Sequence, residues 1–192
     1  MSNMIKTRED LALFCESDRQ ANLGDKKITA EVRYRGSFPY RVTTYLRLLR
    51  KTEYTCEKRD SAKNVLVSHI YSARIKMLDR KRNRLGELLG LEIPINRVER
   101  GVRIAHRGVI LNGYVDEGCV FHGSNVLGNK KTGAREEIPR LGKNVDVGIG
   151  AMIIGGVEIA DNCVIGAGAV VTKSFTVPGT VIAGVPAREI VK

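Results

Sequence analysis

The sequence lacks any long hydrophobic run, and no stretch approaches the ~18 uninterrupted apolar residues of a transmembrane helix. Residues 1–10 carry Lys, Arg, Glu and Asp and contain no apolar segment of the kind a secretory signal needs. The expectation is a soluble, cytoplasmic protein. Cysteine pairing is missing too: Cys15, Cys56, Cys119 and Cys163 stand far apart with no Cys-x-x-Cys, which argues against a disulfide framework and against a four-thiolate zinc site. Tryptophan is absent, and histidine is limited to His69, His106 and His122, so any imidazole chemistry must draw on these three. What the chain has is a 43% apolar content over 192 residues, enough to bury a core, which excludes disorder.

Charge and glycine divide the chain. The formal charge is +11, and residues 1–90 hold 20 Lys/Arg against 11 Asp/Glu, while 91–192 hold 12 against 10. Glycine runs the other way, 4 before residue 91 and 16 after it. The boundary falls near Gly90, with a basic α-helical domain over 1–90 and a domain of different architecture over 91–192. Leu11, Leu13, Phe14 and Cys15 form a short amphipathic stretch ahead of a stop at Gly24-Asp25. Residues 40–51 and 65–89 repeat the pattern, the latter with a basic run over 74–84, for a bundle of three or four helices. Such helices present a solvated basic face; no nucleic-acid module accompanies them, and contact with an anionic membrane surface is the lesser alternative.

The second segment has a period of six. Leu141, Val147, Ile153, Ile159, Ile165, Val171 and Val177 are aliphatic, and four residues after each comes another apolar residue, usually small. Helical periodicity cannot produce this, whereas a parallel β-helix does, one short strand and one turn per hexad with aliphatic side chains stacked inside. The phase recurs upstream at Val109, Val115, Phe121 and Leu127. Between Leu127 and Leu141 it slips by two across a polar, charged stretch, so 128–140 is read as a loop extruded from the coil, a usual place for function.

These hexads, the extruded loop, Glu16-Ser17-Asp18-Arg19-Gln20-Ala21, Ile104-Ala105-His106 and the ending Ile182-Ala183-Gly184-Val185-Pro186-Ala187-Arg188 resemble the left-handed β-helix acyltransferases, most of all serine O-acetyltransferases and related sugar O-acetyltransferases. The resemblance covers nearly the whole chain. It implies an acetyl-CoA-dependent O-acetyltransferase with a left-handed parallel β-helix behind the helical domain, assembled as a homotrimer whose pairing into hexamers is left open.

Acetyl transfer from a thioester to a hydroxyl needs a base, and histidine suits it. By the resemblance His106 is that base and Glu92, one coil earlier, is the carboxylate that orients it. His69 lies among helical residues and is read as structural. His122 follows an aliphatic hexad position and is a candidate acceptor contact, with Asp18 and Glu137 beside it. Cys119 and His122 have a ligand-like spacing but no second pair, so no metal is expected. For the donor, the resemblance runs the pantetheine arm along Ile149, Gly150, Ala167 and Gly168, with Lys173, Arg188 and Lys192 as cations for the phosphates. Lys130, Lys131 and Arg135 are a candidate cleft wall. Serine acetyltransferases hold the serine carboxylate with an Arg-His pair before the proline that ends the loop; Glu137-Ile138-Pro139 stands there in this chain. On that ground a sugar or polysaccharide hydroxyl is the favoured acceptor, serine the alternative, and a noncatalytic β-helix scaffold the reading from another class.

Overall fold

The computed structural model describes residues 5–25, 29, 36–131 and 137–190, so Arg135 and Lys192 lie outside the described residues. Three helices come first. Helix α1 (Arg8–Leu23) opens with a reciprocal capping box, the Thr7 hydroxyl accepting from the Asp10 N–H and the Asp10 carboxylate accepting from the Thr7 N–H. Helix α2 (Phe38–Asp60) has a proline in its first turn, where no N–H is needed. Helix α3 (Val65–Leu89) is capped by the Asn64 side chain and stopped by Gly90 in the left-handed conformation. The apolar pattern suggested an end for α2 near residue 51, but the helix continues because its buried face turns polar: Thr52, Glu53 and Thr55 are buried, and both threonine hydroxyls donate to carbonyls one turn back.

From Leu91 the chain winds as a left-handed parallel β-helix with three faces. The first face holds β1 (Leu91–Glu92), β3 (Val109–Leu111), β6 (Val126–Gly128), β9 (Met152–Ile154) and β12 (Val170–Val171). The second holds β4 (Tyr114–Val115), β7 (Arg140–Leu141) and β10 (Glu158–Ile159), extended by the bridges Val98 to Val115 and Ile159 to Phe175. The third holds β2 (Arg103–Ile104), β5 (Val120–Phe121), β8 (Asp146–Val147), β11 (Val164–Ile165) and β13 (Val181–Gly184), closed by the antiparallel β14 (Ala187–Glu189). Each aliphatic hexad residue from Val115 to Val171 points inward and is buried, a gain of roughly 1.5–3 kcal/mol per fully buried aliphatic side chain. The expected last member is not inside: Val177 is 64% exposed. Phe175 fills the slot two residues early, and Pro178 has no N–H to give to a ladder.

The first coil is sealed by the helices, and the core does not divide at Gly90. Val42, Tyr45, Leu46 and Leu49 of α2 pack with Leu89, Leu91, Ile93 and Val98 in one apolar cluster that continues to the last coil. The seam is tied by Arg50, whose side chain is fully buried. Its guanidinium meets Asp18 of α1 at 2.8 Å and Glu53 at 3.2 Å, donates to the carbonyls of Val98 and Glu99, and lies over the Phe14 ring. Burial opposes its charge, but the two carboxylates outweigh that and hold its pKa above the ordinary arginine value. Among the described residues no helix is long and apolar enough to cross a membrane.

Arg50→Ala is expected to strand Asp18 and Glu53 without a counter-charge and to destabilise by about 3–5 kcal/mol. For a chain of this size that is a fall in Tm of about 6–20 °C by calorimetry or thermal circular dichroism. A change below about 2 °C would show that the seam does not depend on the buried cluster.

Candidate active site

The turns joining the third face to the first stack into one corner, made by residues 105–108, 122–124, 148–150 and 166–168. Backbone bonds fix the stack: Ala105 N–H donates to Phe121 O, His122 to Val147 O, Gly148 to Ile165 O and Gly166 to Ile182 O. His106 is the irregularity. Ile104 and Ile110 pair with Phe121 and Val126, so the lower coil takes six steps round the corner where the upper takes five. Ala105 bonds upward on one side and Arg107 O accepts from Ser124 N–H on the other, which leaves His106 as the extra residue of a bulge, exposed at the corner.

Two residues above it make that bulge fit. A methyl at Gly123, whose φ is 117°, would meet the His106 Cβ at 2.7 Å, so only glycine sits there. Asn125 is fully buried; its side chain accepts from Gly123 N–H and donates to Gly148 O, pinning the corner from inside. Sequence reasoning missed Asn125, although it is the polar residue in an otherwise apolar inward slot.

The expected Glu92–His106 pair is not formed. Glu92 is exposed on the first face beside Ile110, part of a groove of about 580 Å³ that includes Arg82, Asn83 and Glu87 of α3, and no hydrogen bond among the described residues joins it to His106. The imidazole that does have a carboxylate is His122: its Nε2 lies 2.9 Å from Asp146 Oδ1, both half-exposed. Asp18 corrects another expectation. It is buried, its Oδ2 engaged by Arg50 and its Oδ1 by the Gly101 N–H, so it builds the seam and does not face an acceptor. His69 lies exposed on α3 with Nδ1 2.8 Å from Val65 O.

Glu137 is exposed beside Gly156, at the corner between the first and second faces, across the first face from His106. Ile138 is buried and contributes to the core, which removes it from any cleft. Lys130 packs near Gly155 at the same far corner. Thus one chain does not bring Glu137 and His106 together.

Ile149, Gly150, Ala167 and Gly168 do form one ladder, two coils tall, separated from the His106 turn by the coil of residues 122–124. Gly150 N–H donates to Gly123 O and Gly168 N–H to Ile149 O, while among the described residues the N–H groups of Ile149 and Ala167 donate to nothing. Their neighbours are glycines by necessity: a methyl at Gly148 would lie 2.6 Å from Ala167 N. The ladder therefore offers backbone donors on a surface where Ile149 is the one large exposed side chain among glycines and Ala167. Arg188, paired with Ala183 above Gly166, stands exposed at its upper end. Lys173 does not: it follows β12 round the opposite corner, over the Phe175 ring. Arg107, next to His106, is an exposed cation that also donates to Leu88 O. Cys119 is buried with its thiol on Gly142 O, and burial pushes its pKa up to about 12. Among the described residues no group of three metal-ligating side chains gathers.

Residues 139–173 match the family model described as bacterial transferase hexapeptide (six repeats). The serine acetyltransferase of Synechococcus elongatus is 36% identical over 132 residues, 65% of this chain and 53% of that protein. The Helicobacter pylori serine acetyltransferase is 30% identical over 133 residues, 66% of this chain and 77% of the relative. The Escherichia coli K12 enzyme is 31% identical over 102 residues, 37% of its length. The chain thus spans about half or less of several of the relatives it matches. Among solved structures, the serine acetyltransferase of Brucella abortus superposes with a TM-score of 0.67 at 20% identity, covering 95% of this chain and 70% of that one. A serine acetyltransferase in complex with CoA superposes at 0.59 and 19% identity, covering 95% and 71%.

The thiol at Cys119 should resist Ellman's reagent at pH 8 in the folded protein and react only on unfolding, because its thiolate form is suppressed by burial. Rapid labelling of Cys119 by mass spectrometry under native conditions would contradict the inward placement.

Proposed function

The chain belongs to the serine acetyltransferase family of hexapeptide-repeat transferases, and on that premise we propose that it is an acetyl-CoA-dependent O-acetyltransferase. The observation that carries the proposal is the corner itself: His106 bulges out at the foot of a glycine-lined ladder whose Ile149 and Ala167 N–H groups are open to a ligand. Those donors suit the amide carbonyls of a pantetheine arm, and Arg188 at the upper end suits the phosphates of the donor. Lys173 stands at the other corner, where it could reach only a donor bound to a neighbouring subunit. In the reaction the His106 ring takes the proton of the acceptor hydroxyl as its oxygen attacks the thioester carbonyl.

For the acceptor, the relatives support serine over the saccharide suggested by Glu137-Ile138-Pro139. Half of the objection to serine disappears with Ile138, which is buried, and Arg107 beside His106 supplies a cation for a carboxylate. The acceptor is accordingly read as serine, with Arg107 holding its carboxylate. The four free cysteines suit a reducing compartment, in keeping with a cytoplasmic enzyme.

A homotrimer is supported by the first face. Ile110, Val126, Met152 and Val170 stand side by side in register on its outer surface, an apolar column that a lone solenoid would leave wet. His106 and the loop end at Glu137 flank this face on opposite corners, so neighbours meeting across it would bring one subunit's His106 towards the next subunit's Glu137.

Three measurements test this. His106→Ala should lower kcat by roughly 10²- to 10⁴-fold with little change in CoA affinity; unchanged turnover would remove His106 from the reaction. In a panel of serine, homoserine, sugars and nucleotide sugars read by thiol release, serine should be acetylated, and Arg107→Ala should raise its KM roughly 30- to 150-fold, the equivalent of losing a charge-assisted contact. Acetylation of a sugar with serine inert would overturn the serine reading and leave the transferase reading standing. Met152→Glu should convert a trimer to monomers by light scattering at micromolar concentration, and a monomeric parent protein with full activity would sink the shared cleft.

A further inference from the structure

The carboxylate–imidazole pair in this site is not on the histidine assigned as base. His122 opens the corner turn that follows β5, and Asp146 lies on β8 in the coil above; both side chains are half-exposed, with 2.9 Å between Nε2 and Oδ1. At that separation a proton must lie between the two atoms, so Asp146 occupies one ring nitrogen and leaves Nδ1 for another partner. His122 also sits one coil higher than His106, roughly 4.8 Å nearer the Ile149 and Ala167 ladder. A donor arriving down that ladder reaches His122 before it reaches His106.

We propose that His122, held by Asp146, is a second catalytic histidine, which gives a proton to the departing thiolate while His106 takes one from the acceptor. The inference rests on the acetyltransferase reading above. As the acceptor oxygen attacks, its proton passes to His106 and the carbonyl π electrons move onto oxygen. When the tetrahedral intermediate collapses, the carbon–sulfur bond breaks with its electron pair on sulfur, and the sulfur takes the proton of the His122 imidazolium. After release, His106 returns its proton to water and His122 takes one up, so the sum is an alcohol and a thioester giving an ester and a thiol. Two histidines one coil apart divide the work because the attacking oxygen and the leaving sulfur lie on opposite sides of the carbonyl carbon. Asp146 is the charged group in contact with His122; Arg103 lies beside Val120 on the strand below, and His106 and Arg107 belong to the corner of the coil below.

Two measurements decide it. First, histidine-selective NMR of the full chain compares CoA with desulfo-CoA. The His122 resonance should respond to the sulfur, moving differently with the two ligands, while a bound CoA that leaves His122 unmoved, or moves it equally, overturns the proposal. This readout needs no acceptor, so a protein that acetylates nothing in the panel would defeat the transferase reading while the spectra still rule on His122. Second, His122→Gln should lower kcat roughly 10²-fold with CoA affinity held within about threefold, and should abolish the alkaline limb of the pH–rate profile while keeping the acid limb that belongs to His106. Asp146→Asn should lower kcat by a smaller factor. Turnover within about twofold of the parent in His122→Gln, or a profile that keeps both limbs, overturns the proposal.

Discussion

A parallel β-helix cannot simply begin, because its first coil would expose both an unpaired strand edge and the apolar interior. In this chain that constraint is met by the helices, and the meeting point is the buried guanidinium of Arg50. It links α1 through Asp18, its own helix through Glu53 and the first coil through the carbonyls of Val98 and Glu99. The carboxylates repay the debt to the backbone: Glu53 accepts from Asn96 N–H and Asp18 from Gly101 N–H, so the polar groups at the seam are partnered without water. Such a cluster sets register more than it adds stability, since it is satisfied in only one relative position of helix and coil.

Once the first coil is set, each later coil inherits its register from the one below. Aliphatic side chains stack inside, and side chains on the outer surface are held in straight columns across the strands. A single inserted residue is then enough to make a site. At the corner of the second coil the extra residue is His106, and the coil above accommodates it with Gly123 and the buried Asn125. Because the corner positions above that coil are glycine or alanine apart from Ile149, the bulge and the exposed strip of backbone above it are produced by the same geometry.

The first face differs from the other two. Its outer column is apolar at Ile110, Val126, Met152 and Val170, while the third face bears Arg103 and Asp146 and the second bears Arg140 and Glu158. This apolar face lies between the His106 corner and the corner where the loop returns. The separation of Glu137 from His106 within one chain is a consequence of this arrangement.

The sequence by itself determined the solenoid and the presence of helices before it, read there as three or four, because a period of six and an amphipathic helix are local patterns that neighbours in the chain impose. His106 and the run of Ile149, Gly150, Ala167 and Gly168 were named by the family resemblance and not by the period. Where the sequence failed, the deciding contact lay far along the chain or across coils. Asp18 looks like an acceptor ligand until Gly101, 83 residues on, claims one of its oxygens. Glu92 looks like the partner of His106, yet the bulge and the strand register put the carboxylate beside Ile110, and place Asp146 next to His122 instead. Val177 keeps the period but not the place, because Phe175 reaches the interior first. Periodicity specifies which residues turn inward; which side chains meet on the outside depends on register between coils, and a one-residue bulge changes that register without leaving a mark in the period.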